Sequence, residues 1–425
     1  MRKPAILASS SPHKVIVLAA GGTGGHMFPA EALARELLAR GRAVSLVTDR
    51  RGHAFGDTLP EVPVHRIRAA SPGAGFVGKL KAAFHLGLGL LEARALMRRL
   101  APAAVVGFGG YPSVPTVYAA IQGRLPVLLH EQNAVLGRAN RMLIAGARRL
   151  AVAFDRIEKL GEAQHAKLVR TGNPVRPAIA ARRLSPYAAP DATSDAPIRL
   201  LVIGGSQGAR VFSEVIPAAL ARLPAELRAR IHLSQQCRPE DLESARAALE
   251  PLGLGRLDLQ SFFRDVPERL AACHLAITRA GASTIAELTC VGRPAILVPY
   301  PFATDDHQTA NARHLAEAGA AWLIPQPDFT AGALAERLSA LLADRQALAD
   351  AARAAHDWGT ADAASALADA VLAMLDPTRE RRGTTGAESD PVESRTDTPP
   401  DQSDHDQSHH ARPAEAGTHA KGAAE

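Results

Sequence analysis

Cysteine is scarce in this 425-residue chain: only Cys237, Cys273 and Cys290, far apart and odd in number. With no Cys-x-x-Cys pair and no zinc-like spacing, neither a disulfide framework nor a structural metal is expected, and a reducing cytoplasm is the default compartment. No apolar run approaches the ~20 residues that a spanning helix needs. The first thirteen residues, a short apolar run bracketed by Pro4 and Pro12, do not read as an export signal. The chain is therefore expected to be soluble or at most held at a membrane surface. From Pro377 onward, 49 residues contain no Leu, Ile, Met, Phe, Tyr or Trp, and Val392 is the one branched aliphatic. Such a segment cannot bury enough surface to offset its ordering entropy and is expected to be disordered. Its His405, His409 and His410 read as low-complexity composition rather than as metal ligands.

Aromatic residues are also few, at 4%, whereas the apolar share of 47% is enough for two cores. Ala, Leu and Arg dominate, which favours helices packed on parallel strands. The net charge of +6 hides an asymmetry, because the tail from Pro377 carries ten acidic against six basic residues and leaves residues 1–376 at +10. A basic body suits anionic partners such as nucleotides or lipid head groups.

The most informative segment is GGTGGH, Gly21 to His26. It follows the apolar run Lys14 to Ala20 and precedes a helical pattern, Glu31 to Arg40, with Leu33, Leu37 and Leu38 on one stripe and Gly41 just beyond. Strand, glycine turn and helix start together make an anion site. The arrangement recurs where Arg199 to Ile203 leads into GGSQGA, Gly204 to Ala209. Strand-like runs at 43–48, 103–108, 126–130, 275–278, 295–298 and 321–324 complete an alternation typical of parallel sheets with helical crossovers. A proline-rich, aperiodic stretch from Pro174 to Asp195 separates the two halves. The expected domains are a flexible 1–13, a first α/β domain 14–170, a second 171–358, a helix 359–376 returning to the first, and the tail 377–425.

Single residues acquire roles within this pattern. His26 at a helix start is held neutral by the helix dipole, which suits a general base near neutral pH. Glu287, in the first turns of a helix after the strand ending at Thr278, can accept from both hydroxyls of a ribose. Asp305, Asp306, His307, Gln308 and Asn311 place carboxylates and amides after another strand end, as sugar recognition requires.

Seven blocks, GGTGGH, FGGYPSVP (108–115), HEQNAVLGRAN (130–140), GNPVR (172–176), GGSQGA, RAGASTIAE (279–287) and DDHQTANA (305–312), resemble in order and spacing the MurG family. These enzymes are UDP-N-acetylglucosamine transferases acting on undecaprenyl-pyrophosphoryl-N-acetylmuramyl-pentapeptide. The resemblance covers roughly residues 14–375 and implies a GT-B glycosyltransferase, two Rossmann-like domains with parallel sheets facing a cleft. It further implies that Ser206 lies at the diphosphate, that Ala282, Ser283, Thr284, Ile285 and Ala286 line the donor pocket and that Glu287 holds the ribose. Phe263 would stand beside the uracil and Gln308 would bind the sugar hydroxyls. Thr23, Gly24, Gly25, Asn133 and Arg176 would complete the site, with His26 and Glu131 as catalytic candidates near the acceptor. One departure is Cys237, where the family usually has glycine after Gln236.

The implied reaction inverts the anomeric carbon, so one group takes a proton from the acceptor 4-hydroxyl and another stabilises departing UDP. An Asp-x-Asp string occurs only at Asp404 to Asp406 in the tail, so backbone N–H groups and a helix dipole are expected to hold the diphosphate, with no metal or cofactor required. Phe76, Val77, Leu80 and Phe84 beside Lys79 and Lys81, with Arg94, Arg98 and Arg99 further on, resemble the family's docking patch for an anionic membrane. The expected location is the cytoplasmic face of the inner membrane, with proteins of cell-wall assembly as partners and no nucleic acid. Three rivals stay open: a transferase for another lipid such as a diacylglycerol, a UDP-sugar epimerase of similar architecture, and a nucleotide-binding module without activity.

Overall fold

Two parallel sheets, each reversing its strand order beside a glycine turn, organise the chain. The computed structural model describes residues 14–21, 24–49, 59–69, 75–191, 195–205, 208–360 and 362–376. The first sheet alternates β1 (Ile16–Ala19), α1 (Gly24–Ala39), β2 (Val44–Thr48), β3 (Val64–Arg66), α2 (Gly75–Leu100), β4 (Ala104–Gly107), α3 (Val114–Gln122), β5 (Val127–Glu131), α4 (Arg138–Leu143), β6 (Arg149–Val152) and β7 (Leu168–Arg170). Its seven strands run in the order β3-β2-β1-β4-β5-β6-β7, every pair parallel. Strands β1, β2, β4 and β5 are buried along their whole length. That is why they read as continuous apolar runs rather than as alternating ones.

The second sheet follows α5 (Pro177–Ala180) and comprises β8 (Ile198–Ile203), α6 (Arg210–Leu220), α7 (Ala225–Arg230), β9 (Ile231–Gln236), α8 (Leu242–Leu249), β10 (Arg256–Gln260), α9 (Val266–Ala272), β11 (Leu275–Thr278), α10 (Ala282–Val291), β12 (Ala295–Leu297), α11 (His307–Glu317) and β13 (Ala321–Leu323). Helices α12 (Ala331–Ala343), α13 (Arg345–Trp358) and α14 (Ala363–Ala373) close the described chain. Its order is β10-β9-β8-β11-β12-β13, again all parallel. The order reverses at β1/β4 in one sheet and at β8/β11 in the other, so the switch points lie where the glycine-rich segments leave the carboxyl ends of the strands.

Helix α14 packs back on the first sheet's side. Leu367, Ala368, Val371 and Met374 are buried with Leu33 and Leu37 of α1 in one apolar cluster. Arg40 fixes the register through Asp369 (2.6 Å) and the Ser365 hydroxyl (2.6 Å). The tail from Pro377 and the first thirteen residues lie outside the described residues.

One local departure from the sequence reading and one unanticipated buried charge have clear causes. Helix α1 begins at Gly24 rather than near Ala30, with Pro29 inside it. Two glycines and a proline argue against helix by propensity, yet burial against β1 and β2 outweighs that small deficit, and only the one N–H of Pro29 is missing from the ladder. Arg293 is fully buried and donates to six carbonyls, of Leu270, Ala271, Val291, Gly292, Ser185 and Pro186. Two of these carbonyls lie at the carboxyl end of α9 and two at that of α10, so the guanidinium neutralises two negative helix ends at once.

Candidate active site

The glycines that open each glycine-rich segment are tightly packed. A Cβ on Gly21 would stand 2.6 Å from Pro112 Cβ, and one on Gly204 2.4 Å from the Ala209 amide. Gly205 and Gly208 take the left-handed backbone, with φ of 89° and 71°, which other residues adopt at a cost. Ser206, expected at the diphosphate, and Thr23, expected to help complete the site, lie outside the described residues, whereas Gly24 and Gly25 open α1.

Opposite these turns, α10 starts at Ala282 without a side-chain cap, so its first amides have no intrahelical acceptor and face outward as anion donors. The helix divides its residues by face. Ser283, Thr284, Ala286 and Glu287 are partly exposed, while Ala282 and Ile285 turn inward, Ile285 to 1% exposure. Ala282, Ile285 and Ala286 line a void of about 10 Å³ between the two halves, room for a water molecule rather than a nucleotide. The Ile285 side chain therefore belongs to the core, and Ser283 and Thr284 are the partly exposed polar side chains of this turn.

Glu287 is already partnered. Arg176, at the start of α5, places Nε 2.9 Å and Nη2 2.8 Å from Glu287 Oε1, and its guanidinium lies 5.7 Å over the Phe28 ring of α1. Burial raises the Glu287 pKa while Arg176 pulls it down. Thus α1, α5 and α10, from both halves of the chain, meet at one charged pair.

His26 sits on the first turn of α1 with its ring against Gly109 and Gly110, whose φ values are 83° and 74°. Its Nδ1 lies 2.5 Å from Gln132 Nε2. Burial lowers its pKa, a hydrogen bond to the Phe108 backbone opposes this, and the His307 imidazole across the cleft lowers it further. With the Gln132 amide donating, the imidazole proton rests on Nε2; with the amide turned, Oε1 accepts Nδ1–H and the Nε2 lone pair is free. General-base action requires the second arrangement.

Glu131 corrects the sequence reading. It is 2% exposed, and its oxygens are consumed by Asn133 N (3.1 Å), Asn133 Nδ2 (3.4 Å), Gly137 N (2.8 Å) and Asn140 Nδ2 (2.8 Å). Burial pushes its pKa up against these four donors. A carboxylate so enclosed braces the 132–140 loop and has no lone pair facing a reactant. Asn133 is drawn into the same brace, and its Oδ1 accepts from Asn311 Nδ2 at 3.1 Å.

The cluster after β12 divides between two tasks. Gln308 Oε1 accepts from the Tyr300 amide (2.9 Å), which fixes the orientation of its side-chain amide. Asn311 is fully buried and joins the halves through Ala134 N (2.8 Å), Asn133 and Ala280 O (3.1 Å). Asp305, in a left-handed conformation, pairs with Arg141 (2.6 Å), Lys159 (3.1 Å) and Arg138 (3.6 Å) of the first half. Asp305 and Asn311 are therefore clasps between domains rather than sugar ligands. Phe263 is likewise turned inside, 3% exposed beneath the Arg269 guanidinium at 3.9 Å, and the ring open to solvent is Phe262. Gln132 was not singled out from the sequence, and Asp305, His307 and Asn311 were read for sugar recognition rather than as structural parts, although all four stand inside the quoted motifs.

Residues 16–152 match the glycosyltransferase family 28 N-terminal domain, and residues 199–369 match the family 28 C-terminal domain. With two parallel sheets whose switch points face one cleft, this defines a GT-B glycosyltransferase. The chain is 62% identical over 357 residues to the UDP-N-acetylglucosamine–N-acetylmuramyl-(pentapeptide) pyrophosphoryl-undecaprenol N-acetylglucosamine transferase of Rhodospirillum centenum, covering 84% of this chain and 93% of that one. The enzyme of the same name from Paramagnetospirillum magneticum is 55% identical, over 86% of this chain and 98% of its own. The crystal structure of Acinetobacter baumannii MurG superposes with a TM-score of 0.70 at 31% identity, over 84% of this chain and 99% of that one. The chain belongs to the MurG family.

Proposed function

We propose that this protein transfers N-acetylglucosamine from UDP-N-acetylglucosamine to the 4-hydroxyl of the muramyl sugar on undecaprenyl-pyrophosphoryl-N-acetylmuramyl-pentapeptide, with inversion. The observation that carries the reading is the Arg176–Glu287 pair at the uncapped start of α10, facing α1. It supplies a carboxylate for the ribose hydroxyls and a cation beside amides suited to a diphosphate. Backbone amides of the glycine turns stabilise UDP as it departs. Gln308 Nε2 orients the sugar, and His26, turned to expose Nε2, takes the acceptor proton.

The acceptor is lipid-borne, so the protein works at the cytoplasmic membrane face. Phe84, Leu91, Tyr118 and Met142 are exposed on α2, α3 and α4, and an apolar surface on these helices supports such docking. The side chains of Phe76, Val77, Lys79, Leu80 and Lys81 lie outside the described residues. Among the described residues no helix is long and apolar enough to cross a membrane.

Purified protein given labelled UDP-N-acetylglucosamine and the lipid-linked muramyl-pentapeptide is expected to form a disaccharide lipid, also in excess chelator. Interconversion of free UDP-sugar without acceptor would instead reveal an epimerase, and loss of activity in chelator would overturn the amide-held diphosphate.

His26→Ala is expected to lower turnover by about 10²- to 10⁴-fold, the usual weight of a positioned base, with little change in donor affinity. Because the His26 pKa is lowered from its ordinary 6.5, its neutral form persists below that pH, so the acid limb of kcat/KM should fall at a midpoint below 6.5. A collapse of donor affinity with turnover preserved would remove His26 from the base role.

A further inference from the structure

The amino-terminal end of the second sheet carries charges that the transfer reaction does not use. Parallel register sets Arg199 on β8 and Arg256 on β10 on either side of His232 on β9, one row across three strands. Adjacent strands lie about 4.8 Å apart, so the two arginine α-carbons stand roughly 10 Å from each other, within reach of one shared ion. Both arginines are exposed, and neither guanidinium has an ion-pair or hydrogen-bond partner among the described residues. The row opens into a cavity of about 280 Å³ that also includes Ser234, Asp258 and Arg269.

The acids of this cavity are paired but not fully balanced, since three carboxylates face two guanidiniums. Asp258 and Asp265 both bind Arg269, at 2.7 and 2.8 Å, and Glu268 binds Arg182 at 2.7 Å. Arg199 and Arg256 add two positive charges to this set, so the opening keeps one net positive charge, with Arg256 also attracting Asp258. His232 between them registers it: burial, then Arg199, then Arg256 push its pKa below the ordinary value.

We propose that this cavity is a second anion site, separate from the donor cleft, which takes a phosphate- or diphosphate-type group between Arg199 and Arg256. A guanidinium fork matches two oxygens of one anion. A monocarboxylate has oxygens for a single fork, whereas a tetrahedral, multiply charged oxyanion serves two forks from opposite sides. The site lies at the end of the strands opposite the glycine turns, so its occupant does not compete with the nucleotide sugar. The phosphate group belongs either to a soluble metabolite or to a lipid head group.

The full chain, with one equivalent of UDP present to occupy the donor cleft, is titrated with inorganic pyrophosphate by calorimetry. One further binding event is expected. The double variant Arg199→Gln/Arg256→Gln should weaken it at least tenfold while leaving UDP binding, transferase turnover and unfolding temperature unchanged. A second readout is the His232 ring titration by proton NMR. Its midpoint should rise when pyrophosphate binds, because the anion offsets Arg199 and Arg256. The other charges near this row are Asp258 on β10, Asp265 before α9, Glu268 and Arg269 on α9, and His274 before β11, and the double variant leaves these in place. Cosedimentation with phosphatidylglycerol vesicles identifies the source: pyrophosphate-sensitive vesicle binding lost in the double variant marks a head group, and vesicle binding equal in both proteins marks a soluble ligand. Pyrophosphate binding of equal strength in wild type and double variant, or an unmoved His232 midpoint, overturns the proposal.

Discussion

Glu287→Ala is expected to raise the donor Michaelis constant by roughly tenfold to a hundredfold. Hydrogen bonds to a charged acceptor contribute about 1.5–3 kcal/mol, and each 1.36 kcal/mol is tenfold. The ribose hydroxyls would lose that acceptor, and Arg176 would lose the partner that holds it at 2.8–2.9 Å beside Phe28. In the proposed arrangement this carboxylate holds the donor's ribose and not the acceptor, so turnover at saturating donor should change far less. Glu287→Gln preserves the shape and one acceptor oxygen and should fall between. A pH dependence follows from the same pair. The Glu287 pKa is raised from 4.5 by burial, and protonation removes both its attraction to Arg176 and its strength as an acceptor. Donor affinity should therefore decline as the pH drops through a value above 4.5. A donor Michaelis constant that stays at the wild-type value in Glu287→Ala refutes the ribose assignment.

Glu131→Ala should lower stability by about 3 kcal/mol or more, because three groups lose their acceptor at once in the interior. Each unsatisfied buried group costs about 1–3 kcal/mol, and Asn133 N, Gly137 N and Asn140 Nδ2 all depend on this side chain. The 132–140 loop would loosen, and with it Gln132 against His26 and Asn133 against Asn311. Transfer to the acceptor should be lost together with the fall in unfolding temperature, while UDP still binds, since α10 and Glu287 sit on the other sheet. A catalytic carboxylate would give the opposite pattern, a collapse of turnover in a protein of unchanged thermal stability, and that result would restore Glu131 as a reacting group.

Strands β1, β2, β4, β5, β8, β11, β12 and β13 were legible because each is a short apolar run closed by a turn signal. Besides β6 (Arg149–Val152), a short buried strand that the sequence reading did not pick out, strands β3, β7, β9 and β10 left little trace. They lie toward the sheet edges and carry His65, Arg66, Arg170, His232, Gln235, Gln236, Arg256 and Asp258, since a strand with one open or polar face has no need of continuous apolar sequence. Cys237, where the family usually has glycine, is buried at the end of β9 and is not among the residues of positive φ, so a side chain is accommodated there without strain.

By itself the sequence determined that there are two parallel α/β domains, that a glycine turn leads out of the first strand of each, and that a helix-borne carboxylate and a histidine accompany them. These are local properties, set by runs of apolar residues and by backbone conformations that only neighbouring residues influence. Tertiary structure alone decided which polar groups face the cleft and which are enclosed. Asn311 reaches Ala134 across 177 residues of chain, Asp305 reaches Arg141 across 164, and Arg293 gathers carbonyls from positions as far back as Ser185. Whether a carboxylate or amide is a reagent or a brace depends on which donors fill its lone pairs, and those donors arrive from distant segments only when the chain has folded.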